Sequence, residues 1–396
     1  MRLEELPRID IGSGEFAARP LAEFDRLRPQ AWAAVSDRGV EAFSYRGVEA
    51  AYKENEFCAG VTKLMEQMGL DPGAMSGGGR NLQANDTPDH PKLRRIVSRW
   101  FTPRQVDNLR PRVEALAGSL ADSITPAGSG EFMSGIASRI PGTVFCWMIG
   151  APDDVGEHVY KLSETILQTF DGNIDDADDV MTAAIEMRAL VEDLIEQKRR
   201  RPDDALLSIL LAAVDDGDLY VEDVHSLTFE MLSASTDNTA HSAGLAASVL
   251  GQEPDRWATV RNDRTLLPNA LEECARVEPR VRVDSAWTET GATLLDLEVP
   301  PQTMVWQHIA AAHVDPEVFP DPYRVDIVRP LPESQLNFGV GRHFCLGAAL
   351  ARMELAAIYT ALLDRWTDFR LDDEPIIDRS GTGSAVKELR FSCTPA

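Results

Sequence analysis

The sequence has 396 residues, of which 44% are hydrophobic and 26% are charged. These fractions are ordinary for a folded globular protein, so the composition excludes a disordered or fibrous chain. The 39 basic and 64 acidic residues give a net charge of −25, which argues against nucleic acid as a partner because phosphate binding requires a basic surface.

The sequence carries no sign of a membrane segment or of a disulfide framework. No apolar run approaches the roughly 20 residues that span a bilayer, and the N-terminus lacks the basic-then-apolar pattern of a signal peptide. The cysteines are odd in number and include no C-x-x-C pair, which argues against disulfides and against a zinc site; they are Cys58, Cys146, Cys274, Cys345 and Cys393. We therefore expect a cytoplasmic protein with no membrane anchor.

Helical periodicity dominates the chain, with apolar residues recurring at three and four positions. The predicted long helices are about Pro103 to Ser123, Ile136 to Ile149, Val155 to Phe170, Asp178 to Arg200, Val221 to Leu250 and Leu346 to Trp366. Short strand-like pieces are Gly39 to Tyr45, Thr293 to Gln307 and Lys387 to Pro395. The sequence has no internal repeat and no obvious linker. It predicts a mostly α fold with a small β part, in a single domain over residues 1–396.

A glycine-rich stretch, "SGGGRNLQAND", runs from Ser76 to Asp86. It follows no predicted strand and lacks the Lys-Ser/Thr of a phosphate-binding loop. We expect a mobile loop there.

One cysteine lies between a glycine-rich turn and a predicted helix, in "LNFGVGRHFCLGAALARMEL". Backbone N–H groups and the helix dipole favour a thiolate at such a position. Gly339, Gly341 and Gly347 permit tight backbone turns around Cys345, so that amides can face the sulfur and a flat cofactor can approach. From position alone, a buried structural cysteine is an equally good interpretation.

The string "FGVGRHFCLG" matches F-G-x-G-x-H-x-C-x-G and resembles the haem-binding loop of the cytochromes P450. The resemblance implies the cytochrome P450 fold and a haem b cofactor (iron protoporphyrin IX). It also implies that Cys345 is the axial thiolate ligand of the haem iron. Phe338 would then shield the sulfur, Gly339 would lie against the cofactor, and His343 would meet a haem propionate.

Two further motifs occur in the order that this family has. "EECARVEP" contains E-x-x-R as Glu273 and Arg276, and the family-like segment Ala311 to Pro330 contains Arg329. The resemblance implies a buried structural network of these three residues that supports the cysteine loop. Taken alone, E-x-x-R is a common helical ion pair.

An upstream stretch, "NDTPDHPKLRRIVSRWFTP", resembles the family's D-x-P-x-H-x-x-x-R helix from about Asn85. His90 and Arg94 are four residues apart and share a helix face. The resemblance implies that both reach the propionates, whereas outside this context a surface pair would be the simpler interpretation.

The long central helix departs from the family pattern of a small residue, Gly, any residue, an acid and Thr. Here the positions read Ala234, Ser235, Thr236, Asp237 and Asn238. The small residues leave room for dioxygen, and we predict catalytic roles for Asp237, as an acid that exchanges protons with solvent, and for Asn238. Because an amide is a poor proton carrier, the relay could be ordered water or a substrate hydroxyl, or the oxidation could be of a less usual kind. Alternatively, Asn238 only bends the helix.

A second departure follows the E-x-x-R helix, in "EPRVRVDSAWTET". Ala286 stands where the family often has an arginine for a propionate, and Arg280 stands where proline is usual. Arg282 could substitute through a register change, or Arg280 and Arg282 could face a carboxylated substrate. A solvated loop is an equally good interpretation.

The resemblance implies a monooxygenase that oxidises a small, partly apolar organic substrate with O2 and two electrons. Electrons would come from a ferredoxin or flavodoxin and its NAD(P)H reductase. A basic cluster suits such a partner: Lys92, Arg95, Arg99, Arg104, Arg110 and Arg112. The alternatives are a peroxide-driven oxidation or oxidative coupling, or a non-catalytic haem-binding or sensing protein. The substrate pocket should be lined by Met65 to Leu82, Val155 to Asp178, Phe229 to Ser233 and Val281 to Ser285.

Overall fold

A computed structural model describes residues 1–67, 78–83, 86, 88–167, 177–332 and 335–396. Helices make up most of the described chain. They are α1 (Gly14–Ala18), α2 (Pro20–Leu27), α3 (Tyr45–Lys53), α4 (Gly60–Gln67), α5 (Asp89–Val97), α6 (Pro103–Ile124), α7 (Arg139–Ile149), α8 (Gly156–Leu167), α9 (Ala177–Arg200), α10 (Leu206–Asp215), α11 (Val221–Gly251), α12 (Pro254–Asn262), α13 (Leu267–Val277), α14 (Ile309–Ala312) and α15 (Ala348–Arg365).

The long helices follow the apolar periodicity closely. The observed bounds of α6, α9, α11 and α15 differ from the predicted ones by no more than two residues at either end. Helix α7 begins later than predicted because a π-helical turn, Met133–Ala137, precedes it. The predicted end of α8, after Leu167, lies outside the described residues.

Within the described residues, the β part consists of four small sheets. The largest has the strand order β1-β2-β8-β5-β3, and all its pairs are antiparallel except β2 with β8. The strands are β1 (Ala33–Ser36), β2 (Gly39–Ala42), β3 (Cys58–Ala59), β4 (Ser129–Glu131), β5 (Val283–Thr288), β6 (Ala292–Leu294), β7 (Leu297–Val299), β8 (Thr303–His308), β9 (Trp366–Leu371), β10 (Ile376–Asp378), β11 (Ala385–Glu388) and β12 (Arg390–Pro395). The mostly α fold with a small β part is confirmed.

Helix α11 runs through the largest hydrophobic cluster of the protein. Small residues such as Ala243 and Ala247 are buried along it, which lets neighbouring helices pack closely. The hydroxyl of Tyr359 on α15 donates to the carbonyl of Ala243 at 2.6 Å. This bond joins α11 to the helix that follows the cysteine loop.

The glycine-rich stretch, expected to be a mobile loop, is described only in part. Ser76, Gly77, Ala84 and Asn85 lie outside the described residues, but residues 78–83 are fixed to α11. The guanidinium of Arg80 contacts Asp223 of α11 at 2.5 Å and Asp89 of α5 at 2.7 Å. Charge pairs that the composition could not reveal therefore hold this segment in place.

A search of the described residues finds no helix that combines the length and the apolar character needed to cross a bilayer.

Candidate active site

The cysteine loop places Cys345 three residues before α15. Its backbone N–H donates to the carbonyl of Phe338 at 2.8 Å, and the N–H of Gly347 donates to its sulfur. Burial raises the pKa of the Cys345 thiol, and this amide together with the charges of Arg94 and Arg352 partly offsets the rise. A bound metal ion would deprotonate the thiol outright, so the sulfur is a suitable metal ligand.

Two glycines shape this loop. Gly339 and Gly341 have φ values of 63° and 76°, which favour glycine. A Cβ on Gly341 would lie 2.5 Å from the carbonyl oxygen of Tyr52. The loop therefore packs directly on the end of α3, and any side chain at position 341 would displace it.

A cluster of basic groups lies beside the loop. The rings of His90 and His343 are 4.4 Å apart, and Nε2 of His343 lies 2.9 Å from a carboxylate oxygen of Asp86. Arg342 donates to the same oxygen at 3.0 Å. Arg94 lies close by, because its guanidinium donates to the carbonyl of Phe344 at 2.5 Å.

The imidazole of His90 has unused hydrogen-bonding capacity. His90 is 1% exposed, and its Nε2 is buried with no hydrogen-bond partner among the described residues. Burial and the neighbouring cations lower the pKa of His90 to about 4. Since buried polar groups rarely stay unsatisfied, the orphaned nitrogen indicates that a polar ligand group belongs here.

On α11, Ala234 is exposed in the middle of an otherwise largely buried helix. Asn238 lies one turn further along the same face. Its Nδ2 donates to the carbonyl of Ala234 at 2.9 Å, so its Oδ1 is the atom left to accept a bond from water or substrate. This face of α11 combines a small residue with one hydrogen-bonding amide.

Asp237, predicted from the sequence to be a catalytic acid, is buried, and both of its carboxylate oxygens have side-chain partners. It is 3% exposed. One carboxylate oxygen contacts Nε2 of His241 at 3.0 Å and the other contacts Arg280 at 2.5 Å. These partners lower the pKa of Asp237 to about 2, although burial opposes them.

The predicted support network is assembled as a buried cluster. Arg276 makes two bonds to the carboxylate of Glu273, at 2.7 and 2.8 Å, and one at 2.7 Å to the carbonyl of His313. Arg329 donates to Glu273 at 3.2 Å. Glu273 and Arg276 are 0% and 1% exposed, so the three predicted residues lie together out of solvent.

Comparison with known proteins gives the same family along most of the chain. The Cytochrome P450 family model matches residues 154–394. "Cytochrome P450 107B1" of Saccharopolyspora erythraea is 34% identical, over 80% of this chain and 77% of the relative. The chain belongs to the cytochrome P450 family. "Cytochrome P450 monooxygenase PikC" of Streptomyces venezuelae is 32% identical over 93% of this P450 and 89% of the relative.

Solved structures agree with this P450's fold. The crystal structure of CYP108D1 from Novosphingobium aromaticivorans superposes with a TM-score of 0.85 at 29% identity, covering 99% of this chain and 100% of the other. That of CYP109Q5 from Chondromyces apiculatus gives 0.84 at 27% identity, covering 98% and 99%. The protein is therefore a haem-thiolate monooxygenase, an oxidoreductase that uses haem b, O2 and a redox partner.

The residues present fit this haem. A cysteine sulfur is the soft ligand that haem-thiolate iron requires. The basic cluster around the orphaned Nε2 of His90 suits two propionates, and the exposed Ala234 leaves the face of α11 open to a flat group. The site also contains a residue that sequence reasoning missed, Arg342, one position before His343. Its position inside the F-G-x-G-x-H motif, at a variable place, gave only a weak signal.

The arginine missing at position 286 is not replaced from the same strand. Ala286 is buried and pairs with Val305 in regular register, so no register change brings Arg282 to its place. Arg282 instead donates to the carbonyl of Arg379 at 3.2 Å. Arg280 is held by Asp237, which also argues against the expected role in binding a carboxylated substrate.

Proposed function

We propose that this enzyme hydroxylates or similarly oxidises a small, partly apolar organic molecule in the cytoplasm, with electrons from a ferredoxin or flavodoxin and its NAD(P)H reductase. The observation that carries the proposal is the half-buried Cys345, whose sulfur accepts a hydrogen bond from the Gly347 amide and lies beside the basic cluster. For hydroxylation the balance is R–H + O2 + NADH + H⁺ → R–OH + H2O + NAD⁺. When bound, the haem supplies the activation of O2.

We assign the surrounding residues by what their atoms can reach. Cys345 supplies the ligand sulfur. His90, Arg94, His343 and Arg342 supply donors for the propionates, with Asp86 already held by two of these side chains. Phe338 lies under the guanidinium of Arg352, 4.3 Å from ring centre to Cζ, and we assign to it the shielding of the sulfur.

The described part of the substrate pocket combines apolar and polar groups. Met231 and Leu232 are buried on α11. Glu230 lies on the same helix face as Ala234 and Asn238, at intervals of four residues, and its carboxylate accepts the backbone N–H of Leu82 at 2.8 Å. Burial raises the pKa of Glu230 to about 7. This mixture supports a substrate with an apolar body and at least one hydrogen-bonding group.

Similar proteins support oxidation of such molecules. "6-deoxyerythronolide B hydroxylase" of Saccharopolyspora erythraea is 32% identical over 72% of this chain and 70% of its own length. "Nocardicin C N-oxygenase" of Nocardia uniformis is 31% identical over 74% of each chain. These names describe the relatives' reactions, and they support an oxygen-inserting reaction here.

The surface near α5 and α6 supports an acidic electron donor, although it carries fewer free charges than the sequence implied. Arg110 contacts Asp107 at 2.9 Å, Arg112 contacts Asp153 at 3.5 Å, and Lys92 lies 3.9 Å from Asp218. Arg95, Arg99 and Arg104 are exposed, and none of them forms an ion pair with the described residues. These three side chains form the free part of the cluster.

The test is NADH consumption by the purified holoenzyme with a [2Fe–2S] ferredoxin and its reductase, in the presence of candidate substrates. The candidates come from a panel of small aromatics, terpenoids, steroids and cyclic dipeptides. Each compound is first selected by the change in haem spin state that it causes. We expect substrate-dependent formation of an oxygenated product. Product formed only with added peroxide would favour the peroxide-driven alternative, and no product with any ligand that shifts the spectrum would favour a binding or sensing role.

The partner surface is tested by the salt dependence of haem reduction. Charge reversal of Arg95 and Arg99 to Glu should slow reduction by about 10-fold at low salt, because exposed charges steer encounter, and should flatten the dependence on ionic strength. Arg110→Glu, on the same surface but already paired with Asp107, is the matched control and should have a smaller effect. Equal effects of all three variants would refute the assignment of Arg95 and Arg99.

A further inference from the structure

The carboxylate of Asp237 connects three separate parts of the fold. Arg280, from the loop after α13, contacts one oxygen, and His241, one turn along α11, contacts the other. Nδ1 of His241 accepts the backbone N–H of Val386 in β11 at 3.1 Å. Nδ1 therefore carries no proton, and Nε2 is the nitrogen that donates to Asp237.

Both the backbone and the side chain of Arg280 are held in place. The backbone carbonyl of Arg280 accepts the N–H of Ser384 at 2.8 Å. Nη1 of the Arg280 guanidinium packs against Gly383 so closely that a Cβ on residue 383 would lie 2.0 Å from it. Its Nε is buried without a partner among the described residues, so the ion pair with Asp237 is the main polar contact of the side chain.

The other ionisable groups around this pair are acidic or neutral. Tyr160 on α8 is influenced electrostatically by both Asp237 and Arg280, and also by Glu164 and Glu131. Burial, reinforced by these carboxylates, raises the pKa of Tyr160, so it stays neutral. Arg280 is therefore the one permanent positive charge among the described groups that lower the pKa of Asp237.

We propose that Arg280 is a positioning residue for the oxidation, which holds Asp237 ionised and turned away from Ala234 and Asn238, so that protons reach the O2 site without passing through Asp237. The inference rests on the monooxygenase function proposed above. Asn238 lies on the other path, along the same face of α11 as the exposed Ala234, where its Oδ1 can accept a bond from water. Arg280 acts through Asp237 alone and does not contact the reacting atoms.

Uncoupled turnover tests this without a known substrate. The holoenzyme oxidises NADH through ferredoxin and its reductase, and O2 is reduced either by two electrons and two protons to H2O2 or by four of each to two H2O. The fraction of electrons recovered as peroxide reports proton delivery, and as a ratio it does not depend on the amount of folded enzyme. It is measured from about pH 5.5 to about pH 8.5, in H2O and D2O.

Wild type should give a peroxide fraction that is nearly constant with pH, and Asp237→Asn should stay within about 2-fold of it. Arg280→Gln should change the fraction by about 3-fold or more at the acidic end, because a carboxylate freed from its cation takes up protons. Arg280→Lys should behave as wild type. The Arg280→Gln effect should vanish in Arg280→Gln/Asp237→Asn, since Arg280 is argued to act only through Asp237.

Arg282→Gln is the matched control, from the same loop but bonded to the carbonyl of Arg379, and it should follow wild type. A large loss of proton delivery in Asp237→Asn alone, or an Arg280→Gln effect that persists in the double variant, would overturn the proposal. The CO spectrum of each reduced variant separates these outcomes from failure of the haem-thiolate assignment itself.

Discussion

One cation beside the cysteine loop could replace an arginine that this chain lacks. Ala286 in β5 stands where the family often has that arginine. Arg342 lies beside the loop and already binds the carboxylate of Asp86 at 3.0 Å. Charge-assisted bonds of this kind contribute about 1.5–3 kcal/mol each. Arg342 is therefore well suited to hold a propionate in place of the absent side chain.

Arg342→Gln should accelerate haem release about 10-fold or more, because about 1.4 kcal/mol of lost binding is a factor of ten. The rate is measured as transfer of haem to an excess of a scavenging protein. Arg282→Gln, whose side chain bonds the carbonyl of Arg379, should release haem at the wild-type rate. If the two variants behave alike, Arg342 does not bind the cofactor.

Residues inside compact motifs could be predicted from the sequence, but their long-range partners could not. Cys345 and His343 belong to one ten-residue string, so their proximity follows from the chain itself. Arg280 and Asp237 are 43 residues apart, and their ion pair depends on how the loop after α13 folds against α11. Nothing in the local pattern around either residue indicates that contact.

At the scale of elements, Glu273 ties α13 to the segment between α14 and the cysteine loop. Besides the two arginines, its carboxylate accepts the backbone N–H of Asp326 at 2.9 Å, while Arg276 donates to the carbonyl of Pro322 at 2.7 Å. Removing one partner of such a buried set leaves the opposite charge unpaired in a site that excludes water. We propose that the network keeps the path to the cysteine loop rigid.

Glu273→Ala should destabilise the holoenzyme by ~3–5 kcal/mol, measured by denaturant unfolding followed through haem absorbance. Glu253→Ala is the matched control, because Glu253 and Arg256 have the same i, i+3 spacing at 2.6 Å but Glu253 is 64% exposed. That control should lose less than ~1 kcal/mol. Equal losses would mean that burial of the network adds nothing to stability.

Element prediction succeeded where helices are long and amphipathic and failed where they are short. Helix α11 was predicted to end at Leu250 and ends at Gly251. The short helices α2 and α10 offer only two or three turns, too few for periodicity to stand out. Strand β5 was missed because most of its residues are half-buried, so its sequence shows no clear alternation of apolar and polar residues.

For the whole molecule, one buried acid predicts how stability depends on pH. Glu354 on α15 is 3% exposed, and its Oε2 has no partner among the described residues. Burial raises its pKa from 4.5 to about 8. Between these values Glu354 binds a proton in the folded protein that it has released in the unfolded chain, so its contribution to stability falls as pH rises through this window, by up to about 1.4 kcal/mol per pH unit.

Glu354→Gln removes that dependence, because the amide does not titrate. The melting temperature of the variant relative to wild type should therefore rise between about pH 5 and about pH 8. The comparison is made by thermal unfolding of both holoenzymes in the same buffers. Parallel pH profiles would show that Glu354 is not protonated in the folded state.

The central claim for the molecule is that Cys345 ligates the haem iron as a thiolate. The most direct measurement is the difference spectrum of the reduced enzyme with CO, for wild type, Cys345→Ser and the control Cys58→Ser, whose cysteine is half-buried in β3. We expect the thiolate-type Soret band in wild type and Cys58→Ser and its loss in Cys345→Ser, because a serine hydroxyl is not a soft anionic ligand. A thiolate-type band that survives in Cys345→Ser, or that is missing from haem-loaded wild type, would contradict the account.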